Sequence, residues 1–81
     1  MFEALFEPIR IGSLKLDNRL IVPPMVTNFC TDQGYATERF IRHMEEKARG
    51  GWGLITIEQS VVSQEGKGHP NQPCLMDDTC V

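Results

Sequence analysis

The stretch "RLIVPPMVTN", residues 19–28, is an apolar segment that runs directly into two consecutive prolines and then into polar residues. Residues 19–22 predict a strand buried on both faces, because the apolar side chains are consecutive rather than alternating. Proline has no backbone N–H group to give to a sheet, so Pro23 and Pro24 indicate where strand pairing stops. Two interpretations follow: the prolines simply end a strand, or they present the next residues above it.

A helix and a second buried strand follow this segment. Residues 26–36 are polar and predict a loop. Thr37 is suited to cap a helix, which the glycines at 50–51 then end. The apolar residues of this helix fall on one stripe, typical of a face turned to a core: Phe40, Ile41, Met44 and Ala48. Residues 52–58, "WGLITIE", are rich in β-branched side chains and predict the second buried strand.

The order of these elements indicates an α/β fold. Residues 9–11 and 14–16 alternate around a Gly-Ser pair and predict a hairpin before the first buried strand. The strand, helix and strand that follow form a βαβ unit, whose strands should be parallel. Two parallel strands cannot cover both of their own faces. We therefore expect only the beginning of a larger α/β domain, ending here in a long polar loop at 63–73.

Composition excludes several classes of function. The chain has 81 residues and a net charge of −3, without the clustered basic face that nucleic-acid binding requires. No stretch approaches the roughly 20 apolar residues of a membrane span. No signal peptide is visible, so we expect a cytoplasmic protein.

The cysteines predict neither a disulfide framework nor a metal site. Cys30, Cys74 and Cys80 are odd in number and contain no C-x-x-C pair. In a cytoplasmic protein we expect all three to be free thiols.

Two long segments resemble a known family. "LFEPIRIGSLKLDNRLIVPPM", residues 5–25, and "TERFIRHMEEKARGGWGLITIE", residues 37–58, resemble the opening of the Old Yellow Enzyme family of FMN-dependent oxidoreductases. The resemblance is strongest to the branch of NADH:flavin oxidoreductases and 2,4-dienoyl-CoA or 2-enoate reductases, and it covers residues 5–78. Its specific pieces are the LF-x-P opener, Asn18-Arg19, Pro24-Met25 and the GLI-x-x-E strand.

This resemblance implies a (β/α)8 TIM barrel of several hundred residues, whose bottom is closed by an N-terminal hairpin. Residues 1–81 would be the N-terminal segment of the FMN-binding barrel domain: hairpin, strand 1, helix 1, strand 2 and part of the next loop. The barrel is thus incomplete in this chain. A 4Fe-4S cluster and FAD would belong only to a longer form.

The resemblance also implies a cofactor site. The backbone at the Pro-Pro exit would line the flavin ring, and an amide at the end of strand 2 would touch its pyrimidine edge; the residues are Pro23, Pro24, Met25, Val26 and Gln59. Many relatives carry Cys or Thr at position 26, and Val26 cannot donate the hydrogen bond that those side chains supply. No catalytic residue and no metal ligand is expected in this chain.

Three other residues have expected structural roles. Glu58 is expected to face the barrel wall or a neighbouring strand as a structural carboxylate. Gly53 is expected to allow close approach between neighbouring elements at the start of strand 2. His43 and His69 are expected to be non-catalytic, because neither lies at the carboxyl end of a strand.

The function implied by the resemblance is NAD(P)H-dependent reduction of an activated C=C bond through FMN. The substrate would be a small alkene, the full-length enzyme could form a homo-oligomer, and the 81 residues alone should be inactive. Two alternatives remain at this point. One is a small oligomerising interaction module without flavin, and the other is a flavin TIM barrel of the dihydroorotate-dehydrogenase type.

Overall fold

The computed structural model describes residues 1–80, which contain four short strands and one α-helix. In chain order these are β1 (Ile9–Ile11), β2 (Leu14–Leu16), β3 (Ile21–Val22), α1 (Glu38–Arg49) and β4 (Leu54–Ile55). Short 3₁₀ turns occupy Glu3–Phe6, Gln64–Gly66 and Asp78–Cys80.

The N-terminal hairpin forms as predicted. β1 and β2 pair in antiparallel fashion, with Ile9 opposite Leu16 and Ile11 opposite Leu14. Gly12, in the turn, has a φ of +59°, a conformation that glycine adopts without steric cost. Leu16 is buried, whereas Ile11 and Leu14 at the turn end of the hairpin are exposed.

β3 and β4 form the parallel pair that the βαβ pattern predicts, with Ile21 opposite Leu54 and Val22 opposite Ile55. The two strands are shorter than predicted. The sequence predicts strands over residues 19–22 and 52–58, whereas β3 and β4 have two residues each. Pairing ends where Val22 O accepts a hydrogen bond from Thr56 N at 3.1 Å. The next residue of the first strand is proline, which has no N–H group to continue the ladder.

The predicted helix boundaries are confirmed. The Thr37 hydroxyl accepts a hydrogen bond from Phe40 N at 3.1 Å and caps the N-terminus of α1. Gly51, two residues after the last helical residue, has a φ of +91° and takes the left-handed position that ends many helices. In the part of the chain that the structure describes, no helix has the length and apolarity that crossing a membrane requires.

The apolar stripe of α1 is only partly buried, which corrects the expectation of a core-facing stripe. Phe40 is 9% exposed, but Ile41 is 47% exposed and Ala48 is also exposed. The physical reason is the width of the sheet: β3 and β4 alone cannot cover an apolar helix face.

The cysteines correct a second expectation. Cys74 and Cys80 form a disulfide, so only Cys30 is a free thiol. The chain between them turns back through the last 3₁₀ turn, which brings the two Cα atoms to 5.5 Å. The backbone of Cys74 also pairs with that of Val61 in an isolated parallel β-bridge. Burial, and secondarily the charge of Glu58, raises the pKa of the Cys30 thiol above its usual value.

The chain leaves much apolar surface uncovered. Its radius of gyration is 15.2 Å, whereas a compact chain of this length would have about 12 Å. Large exposed apolar side chains occur in every part of the chain, including Phe6, Ile21, Ile57, Val62 and Leu75. A self-contained domain rarely exposes so many. Residues 1–80 therefore form part of a larger fold and do not build a complete hydrophobic core by themselves.

Asn18 and Gly53 bring the starts of β3 and β4 together. Asn18 Nδ2 donates to Gly51 O at 2.8 Å, and Asn18 Oδ1 accepts from Leu20 N at 3.0 Å. A Cβ atom on Gly53 would lie 2.3 Å from Asn18 O, which no real contact allows. The expected close approach at Gly53 is confirmed.

We predict that the isolated 81-residue chain unfolds without a cooperative transition. Its buried apolar area is too small to offset the conformational entropy of the chain. Differential scanning calorimetry should show no sharp peak, and amide NMR signals should be broad. A sharp transition from a monomer would contradict this.

We predict one reactive thiol when the same chain, purified without reductant, is titrated in denaturant. Cys30 should react at once, whereas Cys74 and Cys80 should react only after treatment with a dithiol. Three reactive thiols without reduction would restore the free-thiol expectation.

We predict that Gly53→Ala destabilises the full-length protein, in which we expect the complete barrel. A single methyl group would force the backbone at Asn18 away, and overpacking of this kind costs about 1–3 kcal/mol or more. Soluble yield and melting temperature should both fall. Gly68→Ala is the matched control, since its Cβ would meet only Gln72 Oε1 at 3.9 Å, an ordinary contact. Equal behaviour of the two variants would show that the close approach at Gly53 is incidental.

Candidate functional site

The candidate site lies at the carboxyl ends of β3 and β4. Residues 23–26 leave β3 directly, and Gln59 lies four residues after the end of β4. Because the two strands are parallel neighbours, these ends share one edge of the sheet, where α/β folds bind ligands. The predicted cofactor residues Pro23, Pro24, Met25, Val26 and Gln59 are all exposed.

The peptide groups of residues 23–26 are available to a ligand. Within residues 1–80, their carbonyl groups and the N–H groups of Met25 and Val26 make no hydrogen bond to the protein. The Met25 and Val26 side chains are 65% and 41% exposed. Peptide donors and acceptors beside apolar side chains suit a flat heteroaromatic ring with polar edges, which is the chemistry of an isoalloxazine.

Glu58 and Thr27 join the two strand ends. Thr27 Oγ1 donates to Glu58 Oε1 at 2.6 Å, and Thr27 N donates to Glu58 Oε2 at 3.2 Å. Glu58 is 5% exposed, so this is a buried carboxylate that faces the neighbouring strand end. The expectation that Glu58 faces a neighbouring strand is confirmed, and its role as a structural carboxylate stays a prediction. Thr27 was missed from the sequence, because its role depends on a partner 31 residues away.

A chain of hydrogen bonds continues from Thr27 to the helix. Phe29 N donates to Thr27 Oγ1 at 3.2 Å, and Phe29 O accepts from the hydroxyl of Thr37. Thr37 is also the residue that caps α1. The exit from β3, the end of β4 and the start of α1 are thus held as one unit.

A small cleft lies between α1 and the chain at the carboxyl ends of β3 and β4. Its volume is only about 20 Å³, and it is lined by His43, Met44 and Lys47 from α1 together with Met25, Thr27 and Glu58 from the strand side. The His43 ring meets the edge of Phe29, with ring centroids 5.3 Å apart. Nothing in this contact suggests proton transfer, and the non-catalytic role of His43 stays a prediction.

The described part of the chain contains no cluster of metal-binding side chains. Across residues 1–80, no group of three or more His, Cys, Asp or Glu side chains is placed to hold a metal ion. His69 is an exposed loop residue whose backbone N–H donates to Gln72 Oε1 at 3.2 Å. That this chain contributes no catalytic residue stays a prediction.

Comparison with known proteins extends this geometry. The chain is 41% identical over 78 residues to the NADH oxidase of Thermoanaerobacter brockii, an alignment that covers 95% of this chain and 12% of that protein. A solved 2-naphthoyl-CoA reductase, in complex with 2-naphthoyl-CoA, superposes with a TM-score of 0.94 and 32% identity over 99% of this chain and 12% of that one. The Old Yellow Enzyme of Trypanosoma cruzi superposes with a TM-score of 0.84 and 26% identity, over 98% of this chain and 21% of that one.

The fold is therefore the opening part of the Old Yellow Enzyme type of TIM barrel, as expected from the sequence. The chain spans only about an eighth of the NADH oxidase that it matches. The family model for the NADH:flavin oxidoreductase / NADH oxidase family matches residues 4–81, which is nearly the whole chain. The chain belongs to the NADH:flavin oxidoreductase / NADH oxidase family.

Proposed function

We propose that residues 1–81 are the N-terminal segment of an FMN-binding TIM-barrel enzyme that uses NAD(P)H to reduce activated C=C bonds. The observation that carries the proposal is the set of unpaired peptide groups at residues 23–26, at the carboxyl end of a parallel strand. Family membership supports it from an independent direction.

When bound, FMN supplies a two-electron carrier that connects NAD(P)H to a substrate that NAD(P)H does not reduce directly. The residues of this chain bind and orient that carrier. The peptide groups of Pro23–Val26 would hydrogen-bond to its polar edge, and the amide of Gln59 would supply a donor and an acceptor to its pyrimidine side. Met25 and Val26 cover its apolar surface and exclude water.

The proposed substrate is a small alkene or arene conjugated to a carbonyl group. The bound molecule of the solved 2-naphthoyl-CoA reductase is a thioester of this kind, whose ring double bonds are conjugated to the carbonyl. Conjugation makes the β-carbon electrophilic, which suits hydride addition. The residues that bind the substrate carbonyl and donate the proton would lie on later strands of the barrel.

The remaining parts of the proposal concern the whole protein. We place it in the cytoplasm, allow for a homo-oligomer, and assign a 4Fe-4S cluster and FAD only to a longer form. The uncovered apolar surface would suit the alternative interaction module equally well. Family membership and the unpaired peptide groups at the strand end favour the flavoenzyme over that module.

The proposal predicts that Val26→Thr raises the flavin midpoint potential of the full-length enzyme. Threonine has nearly the shape of valine and adds one hydroxyl donor beside the ring. A hydrogen bond to the electron-rich reduced flavin contributes about 1.5–3 kcal/mol at most. Because about 1.4 kcal/mol corresponds to about 30 mV for two electrons, the shift should be some tens of millivolts. Spectroelectrochemical titration measures it.

Val26→Ala is the control, since it removes methyl groups and adds no donor. Its potential should not rise, and both variants should retain FMN because most binding contacts lie elsewhere. A Val26→Thr enzyme that binds FMN at an unchanged potential would show that Val26 does not face the flavin.

A further inference from the structure

We propose that Glu58 is a positioning residue for the flavin-contacting segment: it acts through Thr27 to fix residues 23–26 at the carboxyl end of β3. This inference rests on the proposed function, because it assumes that this segment contacts FMN. It adds a residue that touches neither cofactor nor substrate and yet sets the geometry of the contact.

The first support is the geometry of the contact. Both oxygens of the Glu58 carboxylate are engaged, one by the Thr27 hydroxyl at 2.6 Å and the other by the Thr27 backbone N–H at 3.2 Å. Two simultaneous hydrogen bonds to one carboxylate fix the orientation of the Thr27 peptide as well as its distance. The carboxylate is buried, so water competes little for these bonds.

The second support is that the segment has no other anchor in the described part of the chain. Val22 O accepts the last ladder bond, and the next protein hydrogen bond along the chain is made by Thr27 N. Between them, Pro23 and Pro24 restrict φ but make no hydrogen bond to the sheet among residues 1–80. The Thr27 end of the segment is therefore held by Glu58.

The third support is that Thr27 is also connected by hydrogen bonds to the start of α1, so Thr27 and Glu58 are not free to shift together. Its hydroxyl also accepts from Phe29 N, and Phe29 O is bound by the hydroxyl that caps α1. The contact is thus fixed to a helix as well as to a strand. A site held on rigid elements in this way keeps its geometry more closely than a free loop would.

Charge provides a separable effect. Glu58 makes no ion pair among residues 1–80, although His43 and Lys47 line the same cleft. Its charge could therefore influence the flavin directly as well as through Thr27. A variant at Thr27 leaves that charge in place and removes the hydroxyl with both of its hydrogen bonds, to Glu58 and from Phe29 N, so it separates the positioning effect from the effect of charge.

The test uses the full-length enzyme with Thr27→Val, Thr27→Ser and Glu58→Gln, each compared with the parent by stopped-flow reduction with NADH per bound FMN. Thr27→Val should lower the rate constant about tenfold, the loss expected when the hydroxyl no longer bonds to the Glu58 carboxylate or accepts from Phe29 N and so no longer holds the reacting geometry. Thr27→Ser, which keeps the hydroxyl, should restore the rate to within about twofold. Glu58→Gln, which keeps the shape of the side chain, should resemble Thr27→Val.

The outcomes separate this inference from the proposed function. If the parent enzyme binds no FMN, the proposed function fails and this inference fails with it. If the parent binds FMN and the variants lose only melting temperature, with an unchanged rate and visible flavin spectrum, Glu58 is merely structural and the positioning role is wrong. Should Thr27→Val not fold, Thr27→Ala, which also keeps the Glu58 charge, decides the question on the same criteria.

Discussion

The site depends on the end of backbone pairing between β3 and β4. The last rung is the hydrogen bond from Thr56 N to Val22 O, and the proline that follows cannot donate to another. From that point the chain has no partner strand, and among residues 1–80 the peptide groups of residues 23–26 make no hydrogen bond. A ligand with polar edges can form hydrogen bonds with these groups. The two prolines thus end the pairing of the sheet and at the same time leave a surface that can bind a ligand.

The parallel pair is unusually short, with two residues in each strand, and its register is held at both ends by side chains. At the amino end, Asn18 bonds to Gly51 O and Gly53 permits the close approach. At the carboxyl end, Glu58 bonds to Thr27. These contacts join the segments that flank β3 to the segments that flank β4. The position of the candidate site is therefore fixed by polar side chains as much as by the sheet.

Much of the fold could be predicted because its signals are local. The hairpin, the cap at Thr37, the end of α1 and the need for a glycine at 53 each follow from a few neighbouring residues. The strand lengths and the Cys74–Cys80 disulfide could not be predicted in the same way. Strand length depends on how many partners lie alongside, and the disulfide depends on how a polar loop without periodicity folds back.

The same distinction applies to the candidate site. The Pro-Pro exit is visible in the sequence because proline chemistry is local, whereas the partner of Glu58 becomes visible only when the end of β3 lies beside the end of β4. Ile21 and Ile57 show where the sequence-based prediction and the structure still differ. Both are exposed, although the sequence pattern predicts buried strands at these positions. Their pattern describes a complete barrel, in which further strands and helices would cover them. The sequence thus encodes burial that these 81 residues cannot provide by themselves, whereas the contact between Thr27 and Glu58 is already formed within them.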